Sequence, residues 1–396
     1  MHRYTAHLDA NLNYSNIMEN IVGEVELKGK ERALRALNFE KKDRIPMNGG
    51  WIKHVDFLEK ASGINLRYGF RMTEWENPLR AAVQAYKNVG ADIIAYNIIL
   101  PELLDEITAS GCIRFSGLNI NLNPTYKTPE DFVGKYVNNL PSAQDVRESF
   151  DFQKDYDTFS RRIKMAQDEC GEDILWIPTG DAVEFHKGIE NFSYHNYLAA
   201  MVRHTKSMLK YFEYLGELAR LHNEVMANAI TEENLTPFVM LGSDICDNHG
   251  PMVSPKILNE IYFPHVRRAI EPFQKKGIKT IWHCDGNVNP IFETLLNMGI
   301  DGFQGFQEEC GVNFQKIINT KSRSGKPLIV FGSISVTSTL PFGTVEDVKK
   351  DVERCIKSAE GRGGFVLMTA NVVQPDTPIE NIFAMYKHGA KFGKGK

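Results

Sequence analysis

Eight short apolar, often β-branched runs, each followed by a polar or glycine-rich loop and then a longer amphipathic stretch, constrain this chain more than any other feature. They are "RIPMN" (44–48), "ADIIAYNII" (91–99), "DILWIPTG" (173–180), "TPFVMLGSD" (236–244), "IKTIWHCD" (278–285), "GIDGFQGF" (299–306), "PLIVFGSI" (327–334) and "GGFVLMTA" (363–370). The spacing predicts parallel strands, because a strand returns parallel to its neighbour only through a crossover, and here each crossover is helical. Eight such units close into a (β/α)8 barrel. A doubly wound open sheet is the competing arrangement, but no GxGxxG fingerprint follows the early strands. The 396 residues are compatible with a single barrel. Residues 1–27 read as an N-terminal extension without strong periodicity, a partner-binding or capping arm, and residues 28–396 as the barrel.

The intervening segments carry helix signals. Residues 254–277 predict a helix with Ser254 as N-cap, Pro255 in the first turn, a bend at Pro264 and a stop at Gly277. Its apolar face is Ile257, Leu258, Ile261 and His265/Val266. A second helix begins at Thr344 and buries Val345, Val348, Val352 and Ile356, with Cys355 a packing residue. In "TPIENIFAMYKHG", Thr377 and Glu380 form an expected capping box with Pro378 at the first helical position.

Composition excludes several classes. The net charge of −4, with no clustered basic stretch, argues against a general nucleic-acid binder. Six scattered cysteines (Cys112, Cys170, Cys246, Cys284, Cys310, Cys355) contain no CxxC pair, which predicts reduced thiols rather than a zinc ribbon or a disulfide framework. No apolar run approaches the roughly 20 residues that span a bilayer, and the polar N-terminal stretch lacks a signal core. The expected compartment is the cytoplasm.

Barrels of this kind work at the C-terminal ends of their strands. Those ends supply Asn48, Trp51 and His54; Tyr96 and Asn97; Thr179, Asp181, Glu184 and His186; Asp244, Cys246, Asp247 and His249; His283, Cys284 and Asp285; Gln307, Glu308, Glu309 and Cys310; Ser333 and Ser335; and Asn371. Singly, such residues are caps, turn formers or satisfied core groups. Their coincidence on adjacent strands is what points to chemistry. In "HCD", alternation sends His283 and Asp285 to one face and Cys284 to the other. With Asp244 on the neighbouring strand, this is an N/O donor set for zinc with an open position. Without a metal, it is equally a general acid with its orienting partner.

Several stretches resemble the uroporphyrinogen decarboxylase superfamily. "KGKERALRALNFEKKDRIPM" is similar to that family's "ER" helix leading into an "xDRxP" first strand. "GSDICDNHGPMVSPKILNEIYFPHVRRAIEPFQKKGIKTIWHCDGNV" resembles its strand-end aspartate, "SP" helix start and "HxDG" or "HxCG" strand end. "GSISVTSTLPFGTVEDVKKDV" and "GGFVLMTANVVQPDTPIENI" resemble its last two units. The resemblance runs from about residue 28 to the C-terminus and implies a TIM barrel.

The superfamily holds tetrapyrrole decarboxylases and corrinoid-dependent methyltransferases. The decarboxylases carry "RQAGR" after the first strand and "GHGxxP" at the last; this chain reads "NGGWIKH" and "ANVVQP" there. The thiol-methylating zinc enzymes use His-x-Cys and a distant Cys, and here Asp285 and Asn371 take the two cysteine places while His283 is kept. The "HxDGN" form looks like the branch that removes methyl groups from methyl ethers. The resemblance therefore implies O-demethylation of a methoxylated, aromatic substrate. The acceptor is the Co(I) corrinoid of a separate protein, since the chain has no DxHxxG corrinoid loop.

On this reading His283, Asp244 and Asp285 are catalytic, and together with Glu308 they are the candidate zinc ligands. Asn97, Asp181, Glu184 and Asn371 orient the substrate, while Trp51, Tyr96 and Phe185 wall an aromatic pocket. The competing readings are a decarboxylase of another carboxylated substrate and a non-catalytic barrel that binds a corrinoid or tetrapyrrole.

Overall fold

The computed structural model describes residues 26–66, 76–95 and 125–396. Tyr96, Asn97, Cys112 and the extension up to residue 25 lie outside the described residues. Seven of the eight expected runs contain a strand and the first ends where its strand begins: β1 (Asn48–Gly49), β2 (Ile93–Ala95), β3 (Leu175–Ile177), β4 (Phe238–Gly242), β5 (Lys279–His283), β6 (Gly302–Gln304), β7 (Ile329–Ile334) and β8 (Phe365–Thr369). The strands are shorter than the apolar runs that contain them. All pairings between neighbours are parallel, in the order β1-β2-β3 and β4-β5-β6-β7-β8. Parallel bridges join the two arcs at Thr179↔Met240 and Met47↔Leu367. The backbone bonds at the seams are Met240 N–H to Pro178 O (3.0 Å), Gly180 N–H to Met240 O (2.9 Å) and Leu367 N–H to Pro46 O (2.9 Å). The ring is thus complete, and the fold is the (β/α)8 TIM barrel.

Strand parity sorts the side chains into two cores. Ile93, Ala95, Leu175, Ile177, Phe238, Met240, Ile281, Ile329, Phe331, Val366 and Met368 fill the interior of the cylinder. The alternate set, including Val239, Leu241, Trp282, Phe303, Val330 and Leu367, packs outward with the helices.

The helices follow the sequence signals with informative departures. The 254–277 segment is two helices, Pro255–Ile261 and Phe263–Lys275, with Ser254 capping the first and Pro264 in the first turn of the second. A ring that blocks a helix interior is tolerated at a helix start, so Pro264 divides the helix rather than bending it. Thr344 caps Val345–Ser358 in a capping box with Asp347. Val345, expected to be buried, is 36% exposed, because the first turn overhangs the core. The box expected from Thr377 and Glu380 does not form: Pro378 is itself the N-cap of Ile379–Phe392, without a side-chain cap bond, and Thr377 is buried. Among the described residues, no helix is long and apolar enough to cross a membrane.

The floor of the barrel is closed by buried charges. Asp92, 1% exposed just before β2, receives Arg32 Nη1 at 2.6 Å, Arg44 Nη1 at 2.6 Å and Arg44 Nη2 at 2.8 Å. It also accepts the Met47 N–H at 3.0 Å. Asp43 takes the other side of Arg32 at 2.6 and 2.7 Å. Arg32, Asp43 and Arg44 are the "ER" and "DR" residues of the first two elements, so this knot ties the first helix, the approach to β1 and β2 together. Removing one partner of a buried ionic network strands the others in low dielectric. Asp92→Ala is expected to cost about 3–5 kcal/mol, read as a lower urea midpoint with an unchanged slope.

Candidate metal or acid–base site

The parity that fills the interior also builds the site. Met240, Gly242 and Asp244 follow one another inward along β4, as do Ile281, His283 and Asp285 along β5, and Gly302 and Gln304 along β6. The register Gly242↔His283 carries Asp244 up beside Asp285. Gly242 is required there, because a Cβ would lie 2.0 Å from the His283 carbonyl oxygen. Adjacent strands therefore deliver three donor groups to the top of a packed core.

Asp244, His283 and Asp285 each offer one ligand atom, all within 4.8 Å of one another. His283 Nε2 lies 3.4 Å from Asp244 Oδ1 and 3.8 Å from Asp285 Oδ1. The Asp285 N–H donates to Asp244 Oδ1 at 3.1 Å. Asn371 Nδ2 donates to Asp285 Oδ2. Asp285 Oδ1, by contrast, is buried without any hydrogen-bond partner. A buried carboxylate oxygen that lacks a donor is costly, and here it lies beside the imidazole and the other carboxylate. That orphaned oxygen, with its two neighbours, fits a divalent cation with one nitrogen and two oxygen donors.

The rest of the rim holds these groups in place. The Gln304 amide meets His283 Nδ1 on one side and donates to the Thr369 and Ala370 carbonyls at 3.2 and 3.0 Å on the other. The Trp51 ring stands edge-on to the His283 ring, centroids 4.8 Å apart. Its Nε1–H donates to Ala95 O at 2.9 Å, and its backbone sits at a positive φ of 58°. Such a φ is strained for a bulky residue, and strain of this kind gathers at functional sites.

The electrostatics follow from crowding two acids on one base. Burial alone would pull the His283 imidazole down, but Asp285 and Asp244 outweigh it and set it at about 9. Burial works against Asp244 too, yet the bond and charge of His283 hold its carboxyl at about 2. Asp285 is pushed up to about 7 by burial and by Asp244, against the pull of His283 and Asn371. The metal-free site is thus an ion pair with a third group that keeps its proton almost to neutrality.

Other expected site residues have different partners. Glu308 stands outside the three-ligand group: its Oε1 accepts from Arg354 Nη1 at 2.8 Å and from Ser333 Oγ at 3.2 Å. An arginine from the helix Val345–Ser358, beyond β7, outcompetes any inward turn. Phe185 is fully buried, with Tyr262, Phe212 and Tyr197 around it, so it belongs to the outer core rather than to a pocket wall. Asp181 is bolted to the long helix Thr205–Glu232: its N–H donates to Asn223 Oδ1 at 2.8 Å, and its Oδ2 lies 3.2 Å from His222 Nδ1. Glu184 is exposed at the start of the Phe185–Gly188 turn. Asn371 reaches the centre, bound to Asp285. Cys284 and Cys246 are buried, as alternation requires for Cys284.

One residue of the centre, Gln304, was missed by sequence reasoning. Gln304 gives no signal beyond its inward parity. His186, named only as a strand-end residue, raises no flag in the sequence as a neighbour of Asp244; its Nδ1 is buried without a partner, and the Asp244 charge acts on it against the burial that draws its pKa down.

The raised groups make the fold pH-sensitive. His283, lifted from 6.5 to about 9, contributes stability that is full below pH 6.5 and lost as pH rises through 9. Asp285, raised from 3.8 to about 7, loses its contribution as pH rises through 7. Asp244, lowered from 3.8 to about 2, loses its own only as pH falls through 2. Thermal unfolding of metal-free protein is expected to show Tm falling from about pH 7 to pH 9. His283→Gln is expected to flatten that part of the curve; an unchanged slope in the variant would contradict the assignment.

Residues 198–392 match the uroporphyrinogen decarboxylase (URO-D) family. Among solved structures, a methyltransferase from Methanosarcina mazei superposes with a TM-score of 0.62 at 16% identity, covering 93% of this chain and 99% of that one. At that identity the likeness is one of fold. No curated protein sequence matches the chain significantly.

Proposed function

We propose that this chain, which belongs to the uroporphyrinogen decarboxylase superfamily, is a methyltransferase that takes a methyl group from a methoxylated aromatic substrate. The acceptor is the reduced corrinoid of a separate protein docking over the barrel mouth. The observation that carries this reading is the convergence of Asp244, His283 and Asp285 at the mouth with no thiol among them. Thiol activation favours sulfur ligands, whereas a set of one imidazole and two carboxylates suits a borderline ion such as zinc. Among the described residues, the arginine named at this rim is Arg354, and it is engaged by Glu308 and Asp351. That does not favour a decarboxylase built to grip substrate carboxylates.

In the reaction the methyl carbon leaves its oxygen, the bonding pair stays on that oxygen, and phenolate is a poor leaving group unless its charge is met. His283 Nε2, Asp244 Oδ1 and Asp285 Oδ1 would hold the ion. When bound, it supplies Lewis acidity at the ether oxygen. The protein's own groups keep that position prepared. Asn371 pins Asp285 Oδ2 and so presents Oδ1, and Trp51 backs the His283 ring. In the ion-free form, the proton that Asp285 retains up to about pH 7 lies where the leaving oxygen would need it. Glu184, exposed beside the Phe185–Gly188 turn, and the Trp51 ring beside His283 are the residues we assign to meet substrate.

The test is metal analysis of the purified protein, followed by incubation with a reduced corrinoid protein and a panel of methoxylated phenols. Release of the demethylated phenol with methylation of the corrinoid is expected. His283→Ala should lower that rate by about a hundred- to ten-thousandfold, while far-ultraviolet circular dichroism stays unchanged. A protein that binds no metal and leaves every ether intact would overturn the reading; corrinoid binding that survives His283→Ala without any turnover would favour a non-catalytic carrier.

A further inference from the structure

We infer that Gln304 is a positioning residue that holds the neutral form of His283 in the tautomer with its proton on Nδ1, turning the Nε2 lone pair toward Asp244 and Asp285. The inference rests on the functional reading above only for its consequence, which is readiness for a cation; the positioning itself rests on hydrogen-bond logic within the chain.

A primary amide has one oxygen that accepts and one nitrogen that donates twice. Gln304 is 2% exposed, so water cannot make up for a mismatched bond. Its amide faces three fixed groups: the carbonyls of Thr369 and Ala370, and His283 Nδ1. The two carbonyls are backbone and can only accept. The nitrogen of the amide must therefore point to them, and a flipped amide would set oxygen against two oxygens. That leaves Oε1 facing Nδ1. An oxygen that only accepts requires a hydrogen there, so Nδ1 carries one.

In the neutral ring the other nitrogen, Nε2, then has the free lone pair. Nε2 is the atom 3.4 Å from Asp244 Oδ1 and 3.8 Å from Asp285 Oδ1. Left to themselves, two carboxylates would draw the single proton of a neutral ring onto Nε2. Gln304 works against that preference, and the anchor giving it leverage is the backbone at the end of β8, two strands away. The ring cannot swing to escape: Gly305, at φ 96°, passes so close that a Cβ there would lie 3.0 Å from Nδ1, and Trp51 closes another side. A lone pair aimed between two carboxylates is unfavourable in an empty site and favourable around a divalent cation.

Two measurements decide the matter. The first is two-bond proton–nitrogen NMR of histidine-labelled, metal-free protein above the pH at which His283 becomes neutral, its resonance identified by its loss in His283→Gln. The proton is expected on Nδ1 in the wild type and on Nε2 in Gln304→Leu. The second is titration with Co²⁺ and Zn²⁺, where Gln304→Leu should weaken binding about 10- to 100-fold; Gln304→Glu, which keeps an oxygen toward Nδ1, should fall between that variant and wild type. A wild-type proton on Nε2, or a Gln304→Leu spectrum like that of wild type, overturns the inference. Should Gln304→Leu not fold, the wild-type spectrum and Gln304→Glu still decide it. Wild-type protein with the proton on Nδ1 but no affinity for either ion would support the positioning role while sinking the cation site.

Discussion

Two carboxylates set against one imidazole on top of a packed apolar cylinder would drive each other apart, and much of the rim is organised around holding them together. Asn371 holds one oxygen of Asp285, the Asp285 amide holds Asp244, and Gln304 holds the far side of His283. Each restraint comes from a different strand end, so the site exists only while the arc from β4 to β8 is assembled. One oxygen, Asp285 Oδ1, is left without a partner. In a buried position this is a cost, and it falls beside an imidazole and a second carboxylate, so the cluster is not a satisfied polar plug.

The barrel serves this arrangement through parity. A residue two places beyond an inward-facing aliphatic also faces inward, and at a strand end the interior core below becomes the floor of the site above. Ile281 and His283 form one such pair, and Met240 and Asp244 are linked in the same way through Gly242. Precision at the top thus depends on packing below, and on the Arg32–Asp92–Arg44 knot that closes the opposite end. The floor is charged but fully paired; the mouth is charged and incompletely paired. That asymmetry separates the stabilising end of the molecule from the working end.

Much of this was legible in the residues. The eight runs marked the eight strands, and alternation in "HCD" placed His283 and Asp285 together with Cys284 turned away. What could not be read were partners distant in sequence. Glu308 looks like a free acid until Arg354 arrives from the helix beyond β7. Asp181 looks like a substrate group until Asn223 and His222 claim it, and Phe185 looks like a pocket wall until Tyr197, Phe212 and Tyr262 surround it. Gln304 is the sharpest case: one glutamine in a short apolar run carries no local signature, and its role depends on carbonyls more than sixty residues away.

The sequence by itself determined the strand–helix alternation, the inward parity of each donor and the carboxylate character of Asp244 and Asp285, because these depend on local periodicity and residue chemistry. Only the tertiary structure decided which donors meet, which are diverted to arginine or histidine partners, and which nitrogen of His283 faces the carboxylates. These partnerships join residues from different strands and helices, such as Gln304 with the end of β8 or Asp181 with Asn223, and no single stretch of chain contains both members.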